Sequence, residues 1–152
     1  MKIYMDVCCL YRPFDDQSQD KVRFEAEAVI SILKRCGIGK EWRLVGSDIV
    51  SFEISKGQDS VKRQKVLFLY DCATERVKYS VDMKSRAAEL RKYNVKLFDS
   101  LHLAAAEYAD VDVFLTTDVW LVREAARLHL KMRVMNPLAY YMEVLDNEQS
   151  GG

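Results

Sequence analysis

Short apolar runs alternate along the chain with longer stretches of helical period, and that alternation supplies a first list of elements. Lys2 to Asp6 reads as a strand, followed by the turn-prone segment Arg12-Pro13-Phe14-Asp15-Asp16. Val22, Ala26, Val29 and Leu33 then recur on one helical face, in a helix that Ser18 or Asp20 caps and that Gly37 and Gly39 stop after about Cys36. Arg43 to Gly46 leads into a second strand, after which Ser47 or Asp48 caps a short helix with Glu53 near its first turn. Between Gln58 and Tyr93 the pattern is two helices, one around Val61–Ala73 with the apolar block Val66–Tyr70, the other around Asp82–Tyr93 with Ala87, Ala88 and Leu90. Asp99 opens an Ala-rich helix to about Ala109, and Val111 to Thr116 is an apolar run of the kind that makes a strand buried on both faces. Asp118 stands just past it. Trp120 to Leu128 makes another helix, Met132 to Met135 a closing strand, and Asn136-Pro137 the start of a short helix, Leu138 to Leu145.

The connections between these strands are too long for hairpins and are helical in pattern, which points to crossovers between parallel strands. The expected fold is a three-layer α/β/α sandwich with a mostly parallel central sheet. Residues 1–146 then form a single domain, and 147–152, lacking apolar anchors, a flexible tail.

Composition changes this picture little. A chain of 152 residues, 49% hydrophobic and 30% charged, has what one globular core requires. No apolar run approaches the roughly 18 residues that a membrane span needs, so no membrane role and a cytoplasmic location are expected. Cys8, Cys9, Cys36 and Cys72 show neither a C-x-x-C pair nor zinc-ligand spacing, and are read as reduced thiols. Charge is more informative in its distribution than in its sum. Residues 56–96 carry 11 basic and 5 acidic side chains, while 97–152 carry 4 and 9, which suggests a basic face beside an acidic pocket.

That pocket has four candidate members, Asp6, Glu53, Asp99 and Asp118. Taken singly, Asp99 and Asp118 are as well explained as helix N-caps. Taken together, acids at strand ends and helix starts can meet along one edge of a doubly wound sheet. Four close carboxylates repel one another, and a divalent cation removes the penalty; hard oxygen ligands select Mg²⁺ or Mn²⁺ over Zn²⁺. His102, three residues beyond Asp99, could share its helical face and is read as a supporting or packing residue. Thr117 is favoured over Thr116 as a supporting hydroxyl.

In this order, an Asp after the first strand, Glu53 in Ser-Asp-Ile-Val-Ser-Phe-Glu, Asp99 in Phe-Asp-Ser-Leu-His-Leu-Ala-Ala-Ala, and Asp118 in Thr-Thr-Asp after a late strand resemble the PIN domain, the fold of VapC-type toxin ribonucleases. The resemblance spans Lys2 to about Glu143. It implies a Mg²⁺- or Mn²⁺-dependent endoribonuclease that cleaves single-stranded RNA to a 5′-phosphate and a 3′-hydroxyl, the toxin of a type II toxin–antitoxin pair. It implies Asp6, Asp99 and Asp118 as metal ligands, Glu53 as a residue that helps hold the metal or orients the water, a small antitoxin as partner, and a homodimer. Two departures stand out: Cys8 occupies a place where the family often has Ser or Thr, and no further acid follows Asp118 among Val119, Trp120 and Leu121. One metal ion is therefore expected. The competing reading is a catalytically silent PIN-like domain that binds RNA or protein; the four intact acids favour the enzyme.

Overall fold

Five strands form one sheet in the order β3-β2-β1-β4-β5, every neighbouring pair parallel, in a computed structural model that describes residues 1–151. The strands are β1 (Lys2–Met5), β2 (Arg43–Ser47), β3 (Glu75–Val77), β4 (Val113–Leu115) and β5 (Arg133–Met135). Successive residues of β1 and β4 are buried on both sides of the strand, as a sheet covered by helices on both faces requires. The fold is the expected α/β sandwich with a parallel centre. Its sheet grows from β1 toward β2 and β3 on one side and toward β4 and β5 on the other. The strand order thus reverses between β1 and β4, and a crevice at such a switch point is where open α/β sheets place their ligands.

The helices are α1 (Val7–Tyr11), α2 (Asp20–Lys34), α3 (Asp48–Ser55), α4 (Ser60–Tyr70), α5 (Val81–Arg91), α6 (Leu97–Tyr108), α7 (Val119–Ala125) and α8 (Pro137–Gly151). Ser47 caps α3 by accepting from Val50 N–H, the first of the two alternatives expected, while Asp48 accepts from Tyr79 N–H instead. Ala26, Val29 and Leu33 bury the predicted face of α2. The core gathers Ile3, Tyr4, Leu44, Val45, Leu103 and Phe114 around the sheet.

Several expectations are corrected. The segment after Asp6 is helical, α1 followed by a 3₁₀ turn over Arg12–Phe14, because Pro13 fits the first turn of a helix as well as it fits a loop. Neither Ser18 nor Asp20 caps α2; Gln19 holds that position without a side-chain bond. A strand, β3, lies between the two helices expected across 58–93, an edge strand with only Val77 buried. In α4 the apolar block splits: Val66 and Tyr70 are buried, Leu67 and Phe68 exposed. Asp99 lies in the first turn of α6, which Lys96 precedes as cap. The last helix does not stop at Leu145 but continues to Gly151, with Glu148 paired to Arg35. Among the described residues no helix is long and apolar enough to cross a membrane.

Candidate active site

Parallel strands end on one side of the sheet, and the chain leaving each one there enters a helix within four residues. Asp6 leaves β1, its N–H bonded to the Leu115 carbonyl of β4, and begins α1. Asp118 follows β4 and caps α7, accepting from Trp120 and Leu121 N–H through one oxygen. Glu53 lies in the second turn of α3, not near the first as expected, and Asp99 in the first turn of α6, which packs against α3. All four carboxylates line one cleft of about 490 Å³, together with Cys8, Tyr11, Arg12, Asp15, Lys96 and Thr117. Residues spread over the whole sequence thus meet at the switch point.

The cleft holds its like charges at an electrostatic cost. The Asp99 carboxyl is pushed up to about 6, first by burial and then by the charges of Asp6 and Asp118, with Glu53 adding to the effect. The tightest group is Asp6, Glu53 and His102, whose ligand atoms lie within 4.8 Å of one another, with His102 fully buried and not part of the cleft lining. Asp99 and Asp118 border the same space outside that group.

Two hydroxyl-bearing networks fix the acids. Thr116, fully buried, donates from Oγ1 to Asp6 Oδ2 at 2.9 Å and accepts from Asp118 N–H at 3.1 Å, so one side chain ties both strand-end acids. The hydroxyl that holds Asp6 is therefore that of Thr116; Thr117, expected in this part, lines the cleft and donates its backbone N–H to Cys8 Sγ. Cys8, standing where a hydroxyl was expected, meets Thr116 Oγ1 at 3.5 Å, a weak sulfur contact in the same place.

The second network starts in the core. Val50 N–H is bonded to Ser47 Oγ, which lies 2.7 Å from Tyr4 Oη; Tyr4 Oη lies 2.6 Å from His102 Nδ1, and His102 Nε2 lies 2.8 Å from Glu53 Oε1. Burial raises the Tyr4 hydroxyl well above its usual range, so it keeps its proton. One arrangement satisfies every member with a neutral imidazole: Ser47 donates to Tyr4, Tyr4 to Nδ1, and Nε2–H to the Glu53 carboxylate. His102 then has no free nitrogen lone pair to offer a cation, although it belongs to the tightest group. It orients Glu53, as a histidine that donates its N–H to a carboxylate does. Spacing put His102 beside Asp99; the partner it bonds is Glu53.

Opposite, Arg12 is committed to Glu25, which is fully buried, and to Asp15. The Tyr11 hydroxyl, in the wall of the cleft, is the single buried side-chain polar atom among the described residues without a hydrogen-bond partner.

No protein-family model matches the sequence, nor does any curated protein. Solved structures match across nearly the whole chain. A toxin–antitoxin complex from Klebsiella pneumoniae aligns at 18% identity and a TM-score of 0.59, covering 89% of this chain and 97% of its own. VapBC-1 from nontypeable Haemophilus influenzae aligns at 15% and 0.57, and VapBC2 from Rickettsia felis, bound to a DNA fragment from their promoter, at 17% and 0.56, each covering 90% of this chain and 98% of its own. The chain has the fold of those proteins, the VapC-like PIN fold that the acidic motifs resembled.

Proposed function

We propose that the protein is a metal-dependent endoribonuclease that hydrolyses phosphodiester bonds of single-stranded RNA, acting as the toxin of a toxin–antitoxin pair. The observation that carries the reading is the meeting of Asp6, Glu53, Asp99 and Asp118 in one cleft, with Asp99 pushed up to about 6 by burial and by its neighbours. Such repulsion is tolerated where a cation offsets it, and an all-carboxylate set suits Mg²⁺ or Mn²⁺. The fit is chemical: oxygen donors converge, and the imidazole among them is already bonded to Glu53 and Tyr4. Asp6, Asp99 and Asp118 would hold the ion, and Glu53 would assist.

When bound, the ion supplies acidity to a water and neutralises charge on the phosphate. The chain's own groups do the rest. Thr116 keeps Asp6 and the start of α7 in register, so the carboxylates at the two strand ends face the cleft in one arrangement. Glu53, its Oε1 anchored by His102, has a second oxygen to accept a hydrogen bond from the attacking water. Hydrolysis adds water's oxygen to phosphorus and releases the 3′-oxygen, leaving a 5′-phosphate and a 3′-hydroxyl. The solved toxin–antitoxin complexes that share the fold support a small antitoxin as partner, and the family resemblance a homodimer.

The test is cleavage of single-stranded RNA by purified protein in EDTA and after adding Mg²⁺ or Mn²⁺, with the product ends identified. Cleavage confined to the metal-containing samples and leaving 5′-phosphates is expected. Equal cutting in EDTA refutes metal dependence; no cutting with either metal favours a binding-only domain.

A further inference from the structure

Two large aromatic rings stand partly exposed, each next in sequence to an acid of the cleft, and the core does not account for them. Phe52 immediately precedes Glu53 on α3, and Phe98 immediately precedes Asp99 on α6. The two residues remain 46% and 39% exposed, yet the rings stack on each other, centroids 5.8 Å apart and planes 14° from parallel. Neighbouring cations accompany them. Lys56 Nζ stands 4.9 Å from the Phe52 centroid, and Lys96, two residues before Phe98, lines the cleft with the four acids. Beyond Lys56 the chain enters α4, which carries Lys62, Arg63 and Lys65 and packs against α1 and α3.

Aromatic faces flanked by lysines, next to a phosphodiester-cutting site, have the two components that single-stranded nucleic acid requires: a surface on which a base stacks and cations for the backbone. We infer that Phe52 and Phe98 form a stacking platform for an unpaired base of single-stranded RNA beside the scissile phosphate, with Lys56 and Lys96 pairing with the adjoining phosphates. The inference rests on the nuclease reading for its ligand, and it gives the cleft a reason to prefer unpaired RNA, since a base within a duplex has no free face to offer. A protein segment is the weaker occupant, because the lysines flanking the rings and the 11 basic against 5 acidic residues of the stretch 56–96 match a polyanion.

The experiment compares the full chain with its Phe52→Leu/Phe98→Leu double variant, which keeps an apolar contact between α3 and α6 and removes both rings. Binding is measured by fluorescence anisotropy in EDTA at low salt, with fluorescein-labelled r(A)12 and with an abasic ribose-phosphate dodecamer. Wild type should bind r(A)12 more tightly than the abasic probe. The double variant should lose about tenfold for r(A)12, the order expected of one base-on-aromatic stack, and bind the abasic probe as wild type does. Lys96→Gln should weaken both probes equally. Equal r(A)12 binding by wild type and double variant, equal losses for both probes, or no wild-type binding of r(A)12 overturns the platform. The first of these outcomes would leave the rings to a protein partner. Cleavage with Mn²⁺, assayed on the same preparation, separates the two readings: ring-dependent binding without cleavage upholds the platform and sinks the nuclease, and cleavage with ring-independent binding does the reverse.

Discussion

His102 shows how much a single buried side chain can decide. It is fully buried between Tyr4 and Glu53, and its Nε2–H holds one carboxylate oxygen of the cleft. His102→Gln keeps a donor near that oxygen but loses the Tyr4 contact, so it should cost roughly 1–3 kcal/mol of stability in urea unfolding. Cleavage should fall about 10- to 100-fold, the range for changing a residue that orients a metal-binding carboxylate, because Gln without the Tyr4 contact holds Glu53 less firmly. Tyr4→Phe breaks the same chain one bond earlier, and its effect on cleavage should not add to that of His102→Gln; fully additive losses would mean that the two act separately. None of this was legible in sequence, where Tyr4 and His102 are 98 positions apart and only the three-residue spacing from Asp99 could be read. The choice between Thr116 and Thr117 failed for a related reason. Adjacent residues at a strand end point to opposite sides, and without the end of β4 fixed to Leu115 the phase is undetermined.

At the scale of elements, the acids are legible where local rules place them. Asp6 and Asp118 follow apolar runs and begin helices, and Ser47 caps the helix that carries Glu53. The elements missed are those that carry little signal of their own: α1 is five residues long, and β3 is a three-residue edge strand. Gly46, in β2, is a position where the packing of an element sets the site. A Cβ there would overlap the Tyr70 hydroxyl, which accepts from Ser47 N–H and donates to the Ser47 carbonyl. Gly46→Ala should therefore displace Tyr70 and disturb the Ser47–Tyr4–His102 chain, destabilising the fold by about 1–3 kcal/mol. Denaturant midpoints for this variant and for Gly39→Ser, whose Cβ would meet nothing within 4 Å, check the packing explanation; Gly39→Ser should lose only the roughly 1 kcal/mol that a positive φ costs a side chain.

Over the whole molecule, strand order turns scattered acids into a site: with β1 and β4 adjacent, the segments leaving their ends, the second turn of α3 and the start of α6 border one cleft. The arrangement makes metal-free stability depend on pH. Asp99 titrates at about 6 in the folded protein against an ordinary 3.8, so the folded state binds the proton more tightly between those values. Its ionisation then opposes folding, and its contribution to stability falls as pH rises through about 4 to 6, being wholly unfavourable above. In EDTA, wild type should accordingly lose melting temperature relative to Asp99→Asn over that window, and Mn²⁺ should restore it at pH 7.5 by binding only the folded state.

Asp99→Asn separates a metal site from a structural acid, because it removes one charge and one oxygen that would hold the ion with almost no change in shape. Melting temperature with EDTA and with Mn²⁺, and RNA cleavage, are measured on the same preparations at pH 7.5. The variant should melt at or above wild type in EDTA, by roughly 2–8 °C if one to two kcal/mol of repulsion is relieved, while losing cleavage and most of the stabilisation by Mn²⁺. Asp99 makes no cap bond and sits in the first turn of α6, so a purely structural Asp99 would act only on the helix dipole, and its replacement by Asn would leave both activity and metal response in place. Retained cleavage with an unchanged response to Mn²⁺ would contradict the assignment of this cleft as a metal-dependent nuclease site.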